Sequence, residues 1–427
     1  MILNEKQSYS IDVAKNGDNL FISGPGGVGK TTVVHNIERI DPNTVIACPT
    51  GIAALNAGGA TIHSTFGLNI GYLNKNARSR VSKVAESLFA NDTVKRIILD
   101  EISMVRIDTY CAVDAQLRAI KGNRKPFGGL QIIHSGDFYQ IPPVLNDKSY
   151  EAQLFRDEFG DSLFAFDSTP WEKAGTVTVE LTEIMRQADP TFRFALNSIR
   201  VKDENYLRSL QFLNTIGRRN RDMYADDDVL VLCTTNKDAD AINQDRYAEV
   251  QGPEKWYNAR VEGKVSTFPA ERDLALKVGC QVLICANNKE LGYVNGERGV
   301  VTHMSLESIR VETRTGMTYE VAKHEWVEYE YDVVNDNLVK TEVGKFTQFP
   351  LKLGWAVTIH KSQGMTLDKA AIYTGRGCFA SGQLYVGLSR LKSLEGLIIL
   401  QDLQPNEVIV DPRVVEFYRK NALGNLL

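Results

Sequence analysis

The chain contains no apolar run approaching the roughly 20 residues that a membrane-crossing helix needs, so no bilayer partner is expected. Its first residues, Met1 to Lys6, lack the basic-then-apolar plan of a secretory leader. Six cysteines (Cys48, Cys111, Cys233, Cys280, Cys285, Cys378) form no C-x-x-C pair, and six scattered histidines give no zinc-ligand spacing. These absences exclude a disulfide scaffold and a zinc module. They predict buried free thiols in a reducing, cytoplasmic setting. Positive charge is not in excess either: 49 Lys+Arg stand against 53 Asp+Glu, a net charge of −4. Phosphate binding needs only a local groove, so a nucleic-acid partner stays open, held less by charge than by stacking and backbone contacts. Repeats and low-complexity tracts are missing too. What remains is an ordinary globular composition, 43% hydrophobic and 24% charged over 427 residues. That length suits about three domains.

Against this plain background one stretch stands out, Gly24-Pro25-Gly26-Gly27-Val28-Gly29-Lys30-Thr31. It matches G-x-x-x-x-G-K-[ST] and follows a strand-like Asn19–Ser23. Glycines allow successive backbone N–H groups to turn inward around phosphate oxygens, and the helix expected after them turns its positive end to the same charge. Lys30 is then placed for the β- and γ-phosphates and Thr31 for Mg²⁺. Downstream, Arg96-Ile97-Ile98-Leu99 reads as a buried strand ending in Asp100 and Glu101, one carboxylate for Mg²⁺ and one to polarise water. A third apolar strand, Leu130 to Ser135, leads into Gly136-Asp137-Phe138-Tyr139-Gln140, whose amide could sense the γ-phosphate. Together these segments imply nucleoside triphosphate hydrolysis.

The strand-like stretches 19–23, 44–48, 96–99 and 130–135, separated by helical segments, predict parallel β/α architecture. Residues 67–93 are polar and basic, with Lys75, Arg78, Arg80 and Lys83, and read as an insertion. From about 295 to 345 short β-type segments take over. Between Trp326 and Val333 apolar and acidic residues alternate with a period of two, as in half-buried strands.

Nine ordered motifs carry a resemblance. They are Leu3-Asn4-Glu5-Lys6-Gln7, the phosphate loop, Pro49-Thr50-Gly51-Ile52-Ala53-Ala54, Thr61-Ile62-His63-Ser64, Asp100-Glu101, Gly136 to Gln140, Leu181 to Gln187, and the late pair Val357 to Gly364 and Tyr385 to Arg390. With them the chain resembles the superfamily 1B DNA helicases of the Pif/RecD type, especially the compact Pif-like and phage Dda-like enzymes. The resemblance implies an α/β fold with two RecA-like parallel-sheet domains. The first would span 1–175, with a wedge insertion at 67–93. The second would span 176–294 and 346–427, with an SH3-like β-barrel insertion at 295–345. It implies ATP and Mg²⁺ held by Gly26, Gly27, Val28, Gly29, Lys30, Thr31 and Thr32, with Gln7 reading adenine and Gly364 joining the nucleotide site. Arg186 and Arg390 would stabilise γ-phosphate charge from the second domain, beside Asp100, Glu101 and Gln140 from the first. Thr50, Gly51, His63, Phe66, Asn236, Thr358, His360 and Ser362 would line the DNA track, the rings serving as stacking surfaces. The implied activity is 5′→3′ translocation on single-stranded DNA with unwinding of tailed or forked duplexes, by a monomer of bacterial or phage type. Two alternatives stay open: an ATPase that remodels protein–DNA complexes with little unwinding, and an ATP-gated binding module.

Overall fold

The computed structural model describes residues 3–424, apart from 70, 144, 146–149, 226–228, 266–267, 289, 294, 314–315 and 335–336. The chain forms two units. The first comprises residues 1–185, 328–343 and 411–427; the second comprises 186–327 and 344–410.

The first unit is built on six strands: β1 (Leu20–Ser23), β2 (Thr44–Cys48), β3 (Ala60–Thr61), β4 (Arg96–Leu99), β5 (Gln131–Ser135) and β6 (Val177–Glu180). Their order is β3-β2-β4-β5-β1-β6, and every pairing is parallel. Continuous apolar stretches suit strands covered on both faces. Leu20, Phe21, Ile22, Ile97, Ile98 and Leu99 are all fully buried. Each such side chain contributes about 1.5–3 kcal/mol of burial. The order puts the carboxyl ends of β1, β4 and β5 side by side, where the three motifs begin.

The boundaries differ from the sequence expectation. Residues 177–180 belong to the first sheet, where β6 pairs with β1; Val177 N–H donates to Asn19 and Leu181 N–H to Ser23. An apolar strand does not announce which sheet edge it will join. The helix Pro412–Gly424 also belongs to the first unit. Phe417 fills an aromatic cluster there with Phe21, Phe138, Phe166 and Trp171.

The insertion at 67–93 holds two short helices, Lys75–Ser79 and Lys83–Phe89. Its basic face is only partly solvated, because Arg78 is buried, pairs with Glu158 and lies over the Phe159 ring. Leu73 N–H donates to Asp108 at 2.9 Å, adding a second fastening.

The second unit opens its sheet with β7 (Leu230–Cys233) and then turns antiparallel through β8 (Lys255–Asn258), β9 (Arg260–Gly263), β10 (Asp273–Leu276), β11 (Gln281–Ile284), β12 (Arg298–Met304), β13 (Ser308–Thr313), β14 (Thr318–Ala322), β15 (His324–Val334), β16 (Asn337–Gln348) and β17 (Leu351–Leu353), residues 328–343 of β15 and β16 being counted with the first unit. It returns with β18 (Ala356–Thr358), β19 (Ala370–Tyr373) and β20 (Leu397–Ile399). The parallel sheet runs β18-β7-β19-β20. The five-stranded antiparallel sheet runs β14-β13-β12-β11-β17 around Val282, Val301, Val311, Val321 and Phe349. This module starts near Lys255 rather than 295. Tyr257 on β8 donates to the Ser305 carbonyl, and Gln348 donates to the Tyr257 carbonyl, so β8 is tied into it by pairings that sequence spacing does not reveal. β15 covers the alternating stretch, although the side chains of 330–334 lie outside the described residues. All six cysteines are free thiols, and Cys48, Cys233 and Cys280 are buried. Among the described residues no helix is long and apolar enough to cross a membrane.

Candidate functional site

The phosphate loop leaves β1 at Ser23 and enters the helix Lys30–Ile40. Two of its glycines are required by close approach as well as by backbone angle. At Gly24 (φ +133°) a Cβ would come 2.3 Å from the Leu181 carbonyl oxygen, and at Gly29 (φ +84°) 2.6 Å from Gln7 Nε2. Lys30 Nζ donates to the Gly24 and Pro25 carbonyls at 2.7 and 3.1 Å, folded over the loop it serves. Val28 is fully buried and anchors the loop, whereas Thr31 is exposed at the first turn of the helix. The segment after β6 follows the loop's outer edge, with Met185 N–H donating to the Gly27 carbonyl at 3.0 Å.

At the end of β4, Asp100 is buried and Glu101 is half-buried. Burial pushes the Asp100 carboxyl up, opposed by the Ser135 hydroxyl, the Glu101 backbone N–H and the charge of Lys30. Glu101 occupies the left-handed region (φ 50°, ψ 46°), a conformation that costs a non-glycine residue about 1–3 kcal/mol. Strain of this kind collects where a side chain must be aimed. Gln140, after β5, is also buried, and its N–H donates to the Asp137 carbonyl at 2.9 Å. The donor set fits a magnesium–nucleotide group. Thr31 and Asp100 offer the oxygen ligands a hard cation favours, and the glycine backbone forms a cradle that Cβ atoms would obstruct.

Gln7 lies against the phosphate loop. Its Oε1 accepts from Asn4 N–H at 3.0 Å and its Nε2 donates to the Val28 carbonyl at 3.0 Å, leaving the residue 2% exposed. The two-sided amide ties the first helix to the phosphate loop and keeps one lone pair and one N–H beyond these two bonds. On the second unit, Arg186 donates to the Ser389 carbonyl at 3.0 Å and Arg390 to the Ser389 hydroxyl at 2.9 Å, so the two arginines meet at one residue. Gly364 is exposed and left-handed (φ +83°).

The proposed DNA residues divide. Thr50 caps the helix Gly51–Ala57 by accepting from Ala53 N–H at 3.2 Å, with Gly51 half-buried beside it. Half-buried His63 lines a cavity of about 190 Å³ with Pro49, Ile62 and Arg106. Burial, then the charge of Arg106, lowers its pKa and keeps the ring neutral. Asn236 is exposed at the start of the helix Asn236–Glu249. His360 is half-buried and held neutral by burial, and its ring stacks on Phe379 at 6.2 Å and 14°. Two residues fail. Phe66 is 0% exposed and stacked on Phe89 at 5.3 Å, so neither face is open to a base. Ser362 is 0% exposed, and its hydroxyl is spent on the Ile359 carbonyl at 2.8 Å. Thr358 is nearly buried and accepts from Lys361 N–H. The sequence reading missed Phe379, which is 63% exposed; its signal was a large apolar residue in a glycine-rich loop after a parallel strand. It also missed Thr235, which caps its helix as Thr50 does.

Residues 3–207 match the family described as PIF1-like helicase. Across its whole length the chain is 34% identical to the ATP-dependent DNA helicase PIF1 of Homo sapiens, and it spans 65% of that relative's length. Among solved structures it is similar to Bacteroides sp Pif1 in complex with ADP-AlF4, with a TM-score of 0.88, 34% identity, and coverage of 99% of this chain and 98% of that one. It is likewise similar to Bacteroides Pif1 bound to ssDNA, with a TM-score of 0.71, 34% identity, and coverage of 100% and 98%.

Proposed function

Because the chain belongs to the PIF1-like helicase family, we propose that it is an ATP-dependent DNA helicase, moving 5′→3′ on single-stranded DNA and opening tailed or forked duplexes. The observation that carries this reading is the convergence of Lys30, Asp100, strained Glu101 and Gln140 at neighbouring strand ends of one sheet. Lys30 exchanges the loop carbonyls for phosphate oxygens. Thr31 and Asp100 would hold a magnesium ion, which would supply charge neutralisation. Glu101 orients and deprotonates the attacking water, and Gln140 reads the γ-phosphate. Arg186 and Arg390 neutralise charge that develops on the transferred group.

The DNA strand is gripped by Thr50, Gly51, His63, Asn236, His360 and Phe379. Neutral rings stack on any base, worth about 1–3 kcal/mol each, so translocation needs no sequence preference. The insertion at 67–93 acts as the wedge, held firm by Arg78 and Glu158. The enzyme works as a single chain in a reducing cytoplasm.

Steady-state ATP hydrolysis with and without single-stranded DNA tests the proposal, with Lys30→Ala as the blank. Strong stimulation that disappears in the blank, together with unwinding of a 5′-tailed but not a 3′-tailed duplex, is the expected result. Stimulated hydrolysis without unwinding of either substrate would favour remodelling of protein–DNA complexes instead. Shortening residues 67–93 is expected to abolish unwinding while sparing hydrolysis.

A further inference from the structure

The helix Pro412–Gly424 returns the chain to the first unit and delivers Tyr418 to the edge of the nucleotide motifs. The Tyr418 ring stacks on Tyr139 at 4.8 Å and 11°. Its hydroxyl lies 2.7 Å from Ser23 Oγ, accepts from Phe138 N–H at 3.2 Å and reaches Asp137 Oδ1 at 3.4 Å. One phenol has one proton and two lone pairs. Donation to Asp137 with acceptance from Ser23 and Phe138 uses all three.

The position of these partners gives the contact its meaning. Ser23 immediately precedes Gly24, the first residue of the phosphate loop. Asp137 and Phe138 begin the turn that ends in Gln140, whose N–H is held by the Asp137 carbonyl. β1 and β5 are neighbours in the sheet, and Gly136 N–H to the Ile22 carbonyl is the last backbone bond between them. Beyond that bond the two segments diverge into separate loops, and the Tyr418 side chain bridges them. Asp137 is 0% exposed, so its orientation depends on such partners.

We propose that Tyr418 is a positioning residue for ATP hydrolysis, holding the Gln140 turn in register with the phosphate loop. The inference rests on the ATPase reading above and makes the C-terminal helix a working part of the nucleotide site. Tyr418 does not touch the reacting atoms; it acts through Gln140.

The test is Tyr418→Phe, which keeps the stacked ring and removes only the hydroxyl. Loss of the three hydrogen bonds of the hydroxyl predicts a fall in DNA-stimulated kcat of about five-fold or more and a lower Tm, with KM for ATP and single-stranded-DNA affinity close to the wild type. In a Gln140→Ala background the same change is expected to cost nothing further in kcat. Unchanged kcat in the single variant would overturn the proposal. So would an equal loss in both backgrounds. Should the wild-type protein itself show no DNA-stimulated hydrolysis, the ATPase reading fails first, and the two failures are distinguishable.

Discussion

The two parallel sheets of this chain make the same turn and then put it to different use. After β2, Thr50 caps a helix by accepting from Ala53 N–H; after β7, Thr235 caps a helix by accepting from Asp238 N–H, both at 3.2 Å. Each sheet also carries a Thr-Ile-His segment, ending in half-buried His63 and half-buried His360. At the strand that enters the phosphate loop the likeness stops. β1 runs into a glycine loop, whereas β7 runs into Thr234 and Thr235, with the Thr234 hydroxyl turned back to the Thr374 carbonyl. Strand ends with capped helices recur because they suit a phosphate backbone anywhere. The loop that cradles a triphosphate needs left-handed backbone at Gly24, Gly27 and Gly29, and the described residues of the second sheet offer no equivalent beside β7.

If the second sheet only gripped DNA, hydrolysis would survive loss of its arginines. We expect the opposite. Arg186→Ala or Arg390→Ala should lower DNA-stimulated kcat by roughly 10³-fold or more, read by steady-state ATPase with DNA affinity as control. The aromatics give the next contrast. Phe66→Ala should cost about 3–5 kcal/mol of unfolding free energy in a denaturant titration, since the ring is wholly buried against Phe89. The DNA affinity of the folded Phe66→Ala protein should be unchanged. Phe379→Ala should do the reverse, keeping stability while weakening single-stranded-DNA binding by about 1–3 kcal/mol in fluorescence anisotropy.

The smallest effect separates the cores by acid. His134, at the centre of the first sheet and bonded to the Tyr110 hydroxyl, is pushed down to about 3 by burial. Below the unfolded value of 6.5 the unfolded chain takes up a proton that the folded chain refuses, so stability falls as pH drops from about 6.5 toward 3. Between pH 7.5 and 5.5 this histidine should cost about 1.4 kcal/mol, measured as the pH-dependent gap between wild type and His134→Gln.

These contrasts also mark how far sequence could reach. The phosphate loop, Asp100 and Glu101 were legible because their chemistry is written in consecutive residues at the end of an apolar strand. Phe66 was misjudged because its partner Phe89 arrives from another segment and closes the ring's exposed face. Ser362 was misjudged because its hydroxyl, one turn after the Ile359 carbonyl, bonds to it locally. The edge position of β6 and the early start of the antiparallel module at Lys255 depend on pairings between distant segments. Tyr418 was invisible for the same reason: its partners Ser23, Asp137 and Phe138 belong to the other end of the chain.

The placement of the helix Pro412–Gly424 has a consequence for biosynthesis. A ribosome emits residues in order, and domains normally fold as they emerge. Here the first unit to appear is the last to be completed. Phe21, Phe138, Phe166 and Trp171 must await Phe417, which is translated only after the entire second unit. Until then the nascent chain carries an open aromatic face, a natural landing place for chaperones. A premature stop shortly before Asp411 would leave that face uncovered for good.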